Sequence, residues 1–443
     1  MSPKPLRVAL VSLGCPKNLV DSEKMLAALA AAGCIVPAPE DAADVIVVNT
    51  CGFLGSARQE SLDVIGQALE RKRRGPARRV VVAGCLSNRD GQKLYRLARG
   101  IDAVVGVNDR ETIVAAVMGR GKITRLTPHP KTAAAPQDGG RFRLTPRHTA
   151  YLRISEGCSR RCTFCTIPAI RGPFRSKKPE AILAEAHELI ADGAVELNVI
   201  GQDTTSYGRD LGHGHSLARL LRDLDRLSGL RWLRLMYAYP RQVGDALIDA
   251  MADCRRVVHY LDLPLQHIAD PVLRRMGRLT TRKAIESLLV TLRRRIPDVV
   301  LRTTFLVGFP GETERCFREL LEFVKAFRFD ALGVFEFSPE PGTAAATMDR
   351  QVSDAAKAER ARELMLAQQA IAFQANGRRV GKRLEVLVDG LDDHGRCVGR
   401  YYGQAPDIDS LCRLTSKHRP GKFITGKVID WADYDLILQP DRK

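Results

Sequence analysis

The chain has 443 residues, 45% hydrophobic and 27% charged, which suits an ordinary globular protein of two or three domains with real cores. No run of eighteen or more apolar residues occurs, so no transmembrane helix is expected. The start, Met1-Ser2-Pro3-Lys4-Pro5, passes straight toward a strand without the apolar stretch of a signal peptide, so the expected compartment is the cytoplasm. Thiols stay reduced there, and clustered cysteines read as metal ligands or catalysts rather than disulfides. The net charge of +18 favours an anionic partner, although a generally Arg-rich proteome would give the same total. Residues 1–125 carry 19 basic and 12 acidic side chains and residues 384–443 carry 9 and 10, so the excess lies mainly between them.

Residues 1–125 read as repeated strand–helix units. Arg7-Val8-Ala9-Leu10-Val11-Ser12, Val45-Ile46-Val47-Val48-Asn49 and Val80-Val81-Val82-Ala83 are strands, with helices over 21–32 and 59–71. Short β-branched runs between helices predict an open parallel α/β sheet covered on both faces. The C-terminal ends of such strands share one edge, where ligands bind. Cys15, Cys51 and Cys85, 36 and 34 residues apart, each follow one of these runs.

Residues 126–147, with Pro128, Pro130, Pro136, Gly139 and Gly140, have linker composition. Residues 148–374 alternate again, with strands predicted over 151–155, 195–200, 231–237, 257–263, 299–307 and 331–337. Helical patterns lie between them, for example over 179–192 and 282–295. Six such repeats suit a partial (β/α)6 barrel with its functional residues at strand C-termini. A helical stretch over 353–374 leads into residues 375–443, whose short β-rich pieces and Gly395, Gly399 and Gly403 predict a small antiparallel β-barrel.

Cys158, Cys162 and Cys165 form a C-x3-C-x2-C run just after the first strand of the second segment. A structural zinc site needs four protein ligands, and no fourth Cys or well-spaced His lies close by. A four-iron cluster held by three thiolates leaves one iron open, and that iron can chelate the amino and carboxylate groups of S-adenosylmethionine (SAM). The cysteine run resembles that of the radical-SAM proteins, and by that resemblance Gly201-Gln202-Asp203 after the second strand and Gly308 after the fifth are candidate SAM contacts; each glycine is equally well read as a turn glycine. Gln266 and His267, ending the fourth, could line the cavity, or His267 could be an ordinary hydrogen-bonded residue. Singly, Cys15, Cys51 and Cys85 read as buried thiols; their recurrence at equivalent strand ends points instead to a second open cluster. Cys34, Cys254, Cys316, Cys397 and Cys412 show no such pattern.

With these residues in view, the whole chain resembles the methylthiotransferases, a radical-SAM family. Leu13-Gly14-Cys15-Pro16-Lys17-Asn18, Asn49-Thr50-Cys51-Gly52-Phe53 and Ala83-Gly84-Cys85-Leu86 are similar to the motifs of that family's N-terminal cluster domain. The run from Cys158 through Ile167-Pro168 to Arg171-Gly172 resembles its radical-SAM signature, and the C-terminal piece looks like a TRAM domain. The resemblance implies two [4Fe-4S] clusters, one on Cys15, Cys51 and Cys85 carrying the sulfur, one on Cys158, Cys162 and Cys165 binding SAM. One SAM methylates the sulfur and a second yields the radical that takes hydrogen from the substrate carbon. No side-chain acid or base is needed, and none is assigned.

Pro16-Lys17-Asn18, Gly201-Gln202-Asp203-Thr204-Thr205-Ser206-Tyr207-Gly208 and Ala405-Pro406-Asp407-Ile408-Asp409 resemble the protein-modifying branch. That branch acts on the β-carbon of an aspartate of ribosomal protein S12, free or in the small subunit. The alternative is the same chemistry on a transfer-RNA adenosine; the near-neutral C-terminal segment argues against it, because a transfer-RNA grip is basic. The overall charge keeps rRNA beside the target as a candidate contact. A low-potential electron donor is the other expected partner, and no membrane is. A third reading, a non-catalytic RNA-binding scaffold with structural metal, would contain zinc and no sulfide.

Overall fold

The computed structural model describes residues 4–129 and 135–441. Residues 130–134, within the Pro- and Gly-containing segment read as a linker, lie outside the described residues. Parallel strands β1 (Val8–Ser12), β2 (Val45–Thr50), β3 (Arg79–Gly84), β4 (Ala103–Val105) and β5 (Ile123–Arg125) pair in that order. Helices α1 (Pro16–Ala31) and α5 (Ile113–Met118) cover one face, where Met25, Leu29 and Ile113 pack on Val45, Val47 and Val81. Helices α2 (Gly55–Arg74), α3 (Cys85–Asp90) and α4 (Leu94–Leu97) cover the other, with Ile65, Leu86 and Leu94 on Ile46, Val48 and Val82. This double covering is why β2 and β3 are apolar along nearly their whole length.

One further pairing sets the topology. Ile35 forms a lone parallel bridge to Arg7 on the outer edge of β1. After α1 the chain therefore touches that edge and then crosses to β2 on the other side. The winding direction reverses between β1 and β2, and the crevice at such a reversal is where open α/β sheets bind ligands.

The second unit is a six-stranded parallel sheet in which β6 (Thr149–Arg153), β9 (Glu196–Ile200), β10 (Trp232–Leu235), β11 (Val257–Asp262), β12 (Val300–Val307) and β13 (Ala331–Glu336) follow one another in space as in sequence. Each lies within about two residues of its predicted span. A two-residue antiparallel pair, β7 (Ser155–Glu156) with β8 (Arg175–Ser176), brackets the compact cysteine loop and the short helix α6 (Ile167–Arg171). Alternation along the strands divides the layers. Leu152, Leu197, Leu233, Leu261 and Leu301 join the outer apolar core under the helices, while intervening positions such as Tyr151, Arg153, Glu196, Arg234 and Tyr260 point to the other, inner face.

At the C-terminus β14 (Arg383–Leu391), β15 (Cys397–Tyr401), β16 (Cys412–Leu414), β17 (Phe423–Ala432) and β18 (Asp435–Pro440) close a barrel, antiparallel except where β16 pairs parallel with β18. This barrel sits against the inner face of the six-stranded sheet. Tyr151 Oη donates to Asp407 at 2.9 Å, Tyr260 Oη to Asp409 at 2.8 Å, and Arg400 reaches the fully buried Glu196 at 2.8 Å. Asp407 and Asp409, which resemble residues of the protein-modifying branch, thus hold two domains together.

Candidate active site between two cysteine triads

The three strand ends of the first domain converge through glycines. Gly14 has φ +83°, and a Cβ there would lie 2.8 Å from Cys51 Cβ. A Cβ on Gly52 would lie 2.9 Å from the Leu86 backbone, next to Cys85. Gly84, at φ +93°, turns β3 into α3 and would otherwise strike the Asn49 side chain and the Thr50 carbonyl. Only residues without a Cβ let the three cysteine loops approach this closely. Asn18 Nδ2 ties them further, donating to the carbonyls of Leu13 at 2.7 Å and Asn49 at 3.2 Å.

The compact triad is held in the same manner. Gly157, at φ +77°, packs on the Gly172 and Pro173 carbonyls, and the Cys158 N–H donates to Gly172 at 3.1 Å. The Cys165 N–H donates to the Cys162 carbonyl at 3.1 Å. Arg278 Nη1 lies 3.7 Å from Cys162 Sγ, and Phe164 packs edge-on against Phe309 with ring centroids 6.3 Å apart.

Burial sets most of these thiols high. Burial, with the neighbouring thiols adding to it, pushes Cys85 up to about 12 against the pull of Arg171. Burial likewise raises Cys165 to about 12 and Cys158 to about 11. Cys15 alone is lowered: burial works to raise it, and Lys17 and Arg171 outweigh that. A bound iron cluster supplies the cationic partner that keeps such thiols as thiolates. Among the described residues no three His, Cys, Asp or Glu side chains converge at single-ion distances; a cubane cluster takes its thiolates on separate irons. Each triad offers three thiols, the donor set such a cluster takes.

The compact loop reaches the spread triad through Thr166, whose Oγ1 donates to the Phe53 carbonyl at 3.1 Å, and through Arg171. Arg171, at the end of α6, is buried; its Nε donates to Cys85 Sγ at 3.3 Å, Nη1 to Asp21 at 2.6 Å and Nη2 to Asn18 Oδ1 at 3.2 Å. Asp21 also accepts from Arg153 at 2.8 Å and Arg110 at 3.1 Å. Burial works to raise its carboxyl, but Arg153, Arg171 and Arg110 hold it at about 2. Asp138, from the segment of linker composition, is fully buried and pairs with Arg110 and Arg153, each at 2.6 Å, and with Lys177. The sequence motif reached Arg171 without giving it a task; the arginine closing that run, six residues beyond Cys165, was the available signal.

The candidate SAM contacts divide. Gln202 Nε2 donates to Glu156 at 2.9 Å, and Asp203 accepts from Arg160 at 2.7 Å, so both brace the compact cysteine loop. A Cβ on Gly201 would lie 2.5 Å from Ser155 Oγ. Gly308 adopts φ +72°, the Lys357 side chain fills the space beside it, and its N–H donates to Glu312. His267 is fully buried with Nδ1 accepting from the Ala269 N–H at 2.9 Å, and burial lowers it to about 3. Its Nε2 has no hydrogen-bond partner and lies 4.0 Å from Glu312 Oε1.

Against this geometry, the chain is 44% identical over 437 residues to the ribosomal protein uS12 methylthiotransferase RimO of Geobacter sulfurreducens (strain ATCC 51573 / DSM 12127 / PCA), covering 97% of this chain and 98% of that one. The chain belongs to the RimO methylthiotransferase family. The RimO of Caldanaerobacter subterraneus subsp. tengcongensis is also 44% identical, over 97% and 99% of the two chains. Within this RimO-family chain, residues 152–324 match the radical SAM superfamily, 7–106 the uncharacterized protein family UPF0004, and 380–439 the TRAM domain. Among solved structures, the radical S-adenosylmethionine methyltransferase TsrM of Kitasatospora setae, with tryptophan substrate and a SAM analog bound, superposes with a TM-score of 0.55 at 17% identity, over 89% of this chain and 85% of that one. Its form with cobalamin and a [4Fe-4S] cluster gives 0.52 at 16%, over 91% and 85%. These two likenesses are of fold.

Proposed function

We propose that this chain places a methylthio group on the β-carbon of an aspartate of ribosomal protein uS12. The observation that carries the reading is the Arg171–Cys85 contact at 3.3 Å, which joins the radical-SAM loop to the spread cysteine triad. The enzyme uses SAM and two [4Fe-4S] clusters, for which Cys158, Cys162 and Cys165 and Cys15, Cys51 and Cys85 are the ligands. When bound, these cofactors supply a carbon-centred radical at one site and a transferable sulfur at the other. The chain's own residues fix the geometry between them. Gly14, Gly52 and Gly84 let the spread triad close, Asp203 and Glu156 hold the compact loop through Arg160 and Gln202, and Arg171 sets the two at a fixed separation. Gly201, Gln202, Asp203 and Gly308 lie at strand ends suited to SAM.

The domain frame is residues 1–125, 148–374 and 375–443 with 126–147 between them. The surplus of basic residues outside the C-terminal barrel supports contact with rRNA beside uS12, and reductive SAM cleavage calls for a low-potential electron donor. The site of action is the cytoplasm, where small subunits are; no described helix is long and apolar enough to cross a membrane. Mass spectrometry of uS12 and of transfer RNA from cells lacking the protein tests the reading. Loss of the methylthio group from uS12 alone is expected; loss from a transfer-RNA adenosine instead would overturn it.

A further inference from the structure

Lys17 is a cation whose field falls on the Cys15 thiol and which no carboxylate of the described residues meets. It is the second residue beyond Cys15 and lies in the first turn of α1, only 7% exposed. Its Nζ lies 3.2 Å from the centroid of the Tyr237 ring, across the boundary between the first and second domains. Among the described residues it makes no ion pair within 4.0 Å. The one carboxylate on the Tyr237 side, Asp262, is engaged by Arg302 at 3.0 Å and accepts the Tyr237 N–H at 3.1 Å. A buried ammonium usually has a paired anion, because desolvating it alone is expensive; an aromatic face compensates only in part.

The platform beneath Lys17 is built, not incidental. Tyr237 follows β10 with φ +60°, a left-handed conformation uncommon for a residue with a Cβ. Strained residues of this kind persist where the surroundings fix them, and they gather at functional sites. Here Asp262 holds the Tyr237 N–H, and Thr204 Oγ1 donates to its carbonyl at 2.9 Å. Thr204 belongs to the strand end that carries Gly201, Gln202 and Asp203. The cation, its platform and the spread triad therefore meet at the seam between the first and second domains.

We infer that Lys17, resting on Tyr237, is the counter-ion for the side-chain carboxylate of the substrate aspartate. This rests on the uS12 reading above. The carbon to be modified is bonded to that carboxylate, so fixing the carboxylate fixes the β-carbon. The N-terminal end of the sixteen-residue helix α1 adds a favourable field for the same anion.

The test is binding without turnover. Cluster-loaded enzyme lacking SAM is titrated, by fluorescence anisotropy, with labelled uS12 and with uS12 carrying Asn in place of the modified aspartate. The expected result is a preference for the aspartate form of about tenfold or more in the wild type. Lys17→Met should abolish that preference, and Lys17→Arg should keep most of it. An iron content equal to wild type shows that Lys17→Met is folded and loaded. A Lys17→Met enzyme with the wild-type preference would overturn the inference, since Lys17 would then serve only the charge of the neighbouring thiolate. So would a wild type indifferent to Asp or Asn. If the wild type bound neither form and methylthiolated transfer RNA, the uS12 reading itself would fall.

Discussion

Arg171 and Cys85 are 86 residues apart and belong to different domains, yet the guanidinium Nε lies 3.3 Å from the thiol sulfur. An N–H donor on a cluster thiolate stabilises the reduced, more negative state and raises the potential. Arg171→Lys keeps the charge but loses the planar fork that reaches Cys85, Asp21 and Asn18 together. Methylthio transfer should fall at least tenfold, with SAM cleavage in the absence of uS12 much less affected. Spectroelectrochemistry should show a lowered potential for one of the two clusters.

The two triads have separable tasks. Replacing Cys15, Cys51 and Cys85 together by Ala should reduce iron from about eight to about four per chain and abolish methylthio transfer, with SAM cleavage retained. Replacing Cys158, Cys162 and Cys165 should give the same iron loss and abolish both. Iron and sulfide analysis beside an assay for 5′-deoxyadenosine distinguishes the cases. A triple Cys15, Cys51 and Cys85 variant that still made full product would be incompatible with two clusters.

Asp21 and Glu196 predict acid lability with a defined sign. Burial works to raise both carboxyls, but the surrounding arginines hold each at about 2, below ordinary values of 3.8 and 4.5. A carboxyl depressed in the folded state contributes stability above its unfolded pKa, and that contribution disappears as pH falls through the folded value. Stability from these two groups should therefore be flat above about pH 5 and fall between about pH 4.5 and 2. Each carries roughly 2–3 kcal/mol. Urea unfolding followed across that range checks it. Glu196→Gln, which uncouples Arg400 of the C-terminal barrel from Arg234, should flatten the profile and speed proteolytic release of the barrel.

Much of this was legible in the sequence because it is local. The six strand ends of the second unit followed from apolar runs, and so did the convergence of Cys15, Cys51 and Cys85 on one sheet edge. The three-residue strands β4 and β5 were too short to stand out from their surroundings. What escaped was long-range pairing. Asp407 and Asp409 resembled marks of a family branch, and their partners Tyr151, Tyr260 and Arg302 lie more than a hundred residues away. Asp138 sits among prolines and glycines, and no composition rule reveals that two arginines and a lysine surround it. The side chain that a Cβ on Gly308 would meet, Lys357, comes from 49 residues on.

Gly84 offers the sharpest local test of how the spread triad is assembled. Its φ of +93° is open to glycine and strained for alanine. A Cβ there would also meet the Asn49 side chain and lie 2.7 Å from the Thr50 carbonyl, both part of the buried β2 strand end. Neither neighbour can yield easily. Asn49 Nδ2 donates to Ser22 Oγ at 2.8 Å and to the Asn18 carbonyl at 2.9 Å, while Thr50 Oγ1 donates to the Ala83 carbonyl at 2.6 Å. Gly84→Ala should therefore push β3 and α3 away from β2 and carry Cys85 out of reach of Cys15 and Cys51. The compact triad, in another domain, should keep its cluster. The expected variant is folded, holds about four irons per chain, cleaves SAM, and transfers no methylthio group. Gly66→Ala, in the middle of α2 with nothing within 4 Å of the added Cβ, should keep about eight irons and full transfer. Equal iron contents in the two variants would show that the strand ends do not need the close approach Gly84 provides.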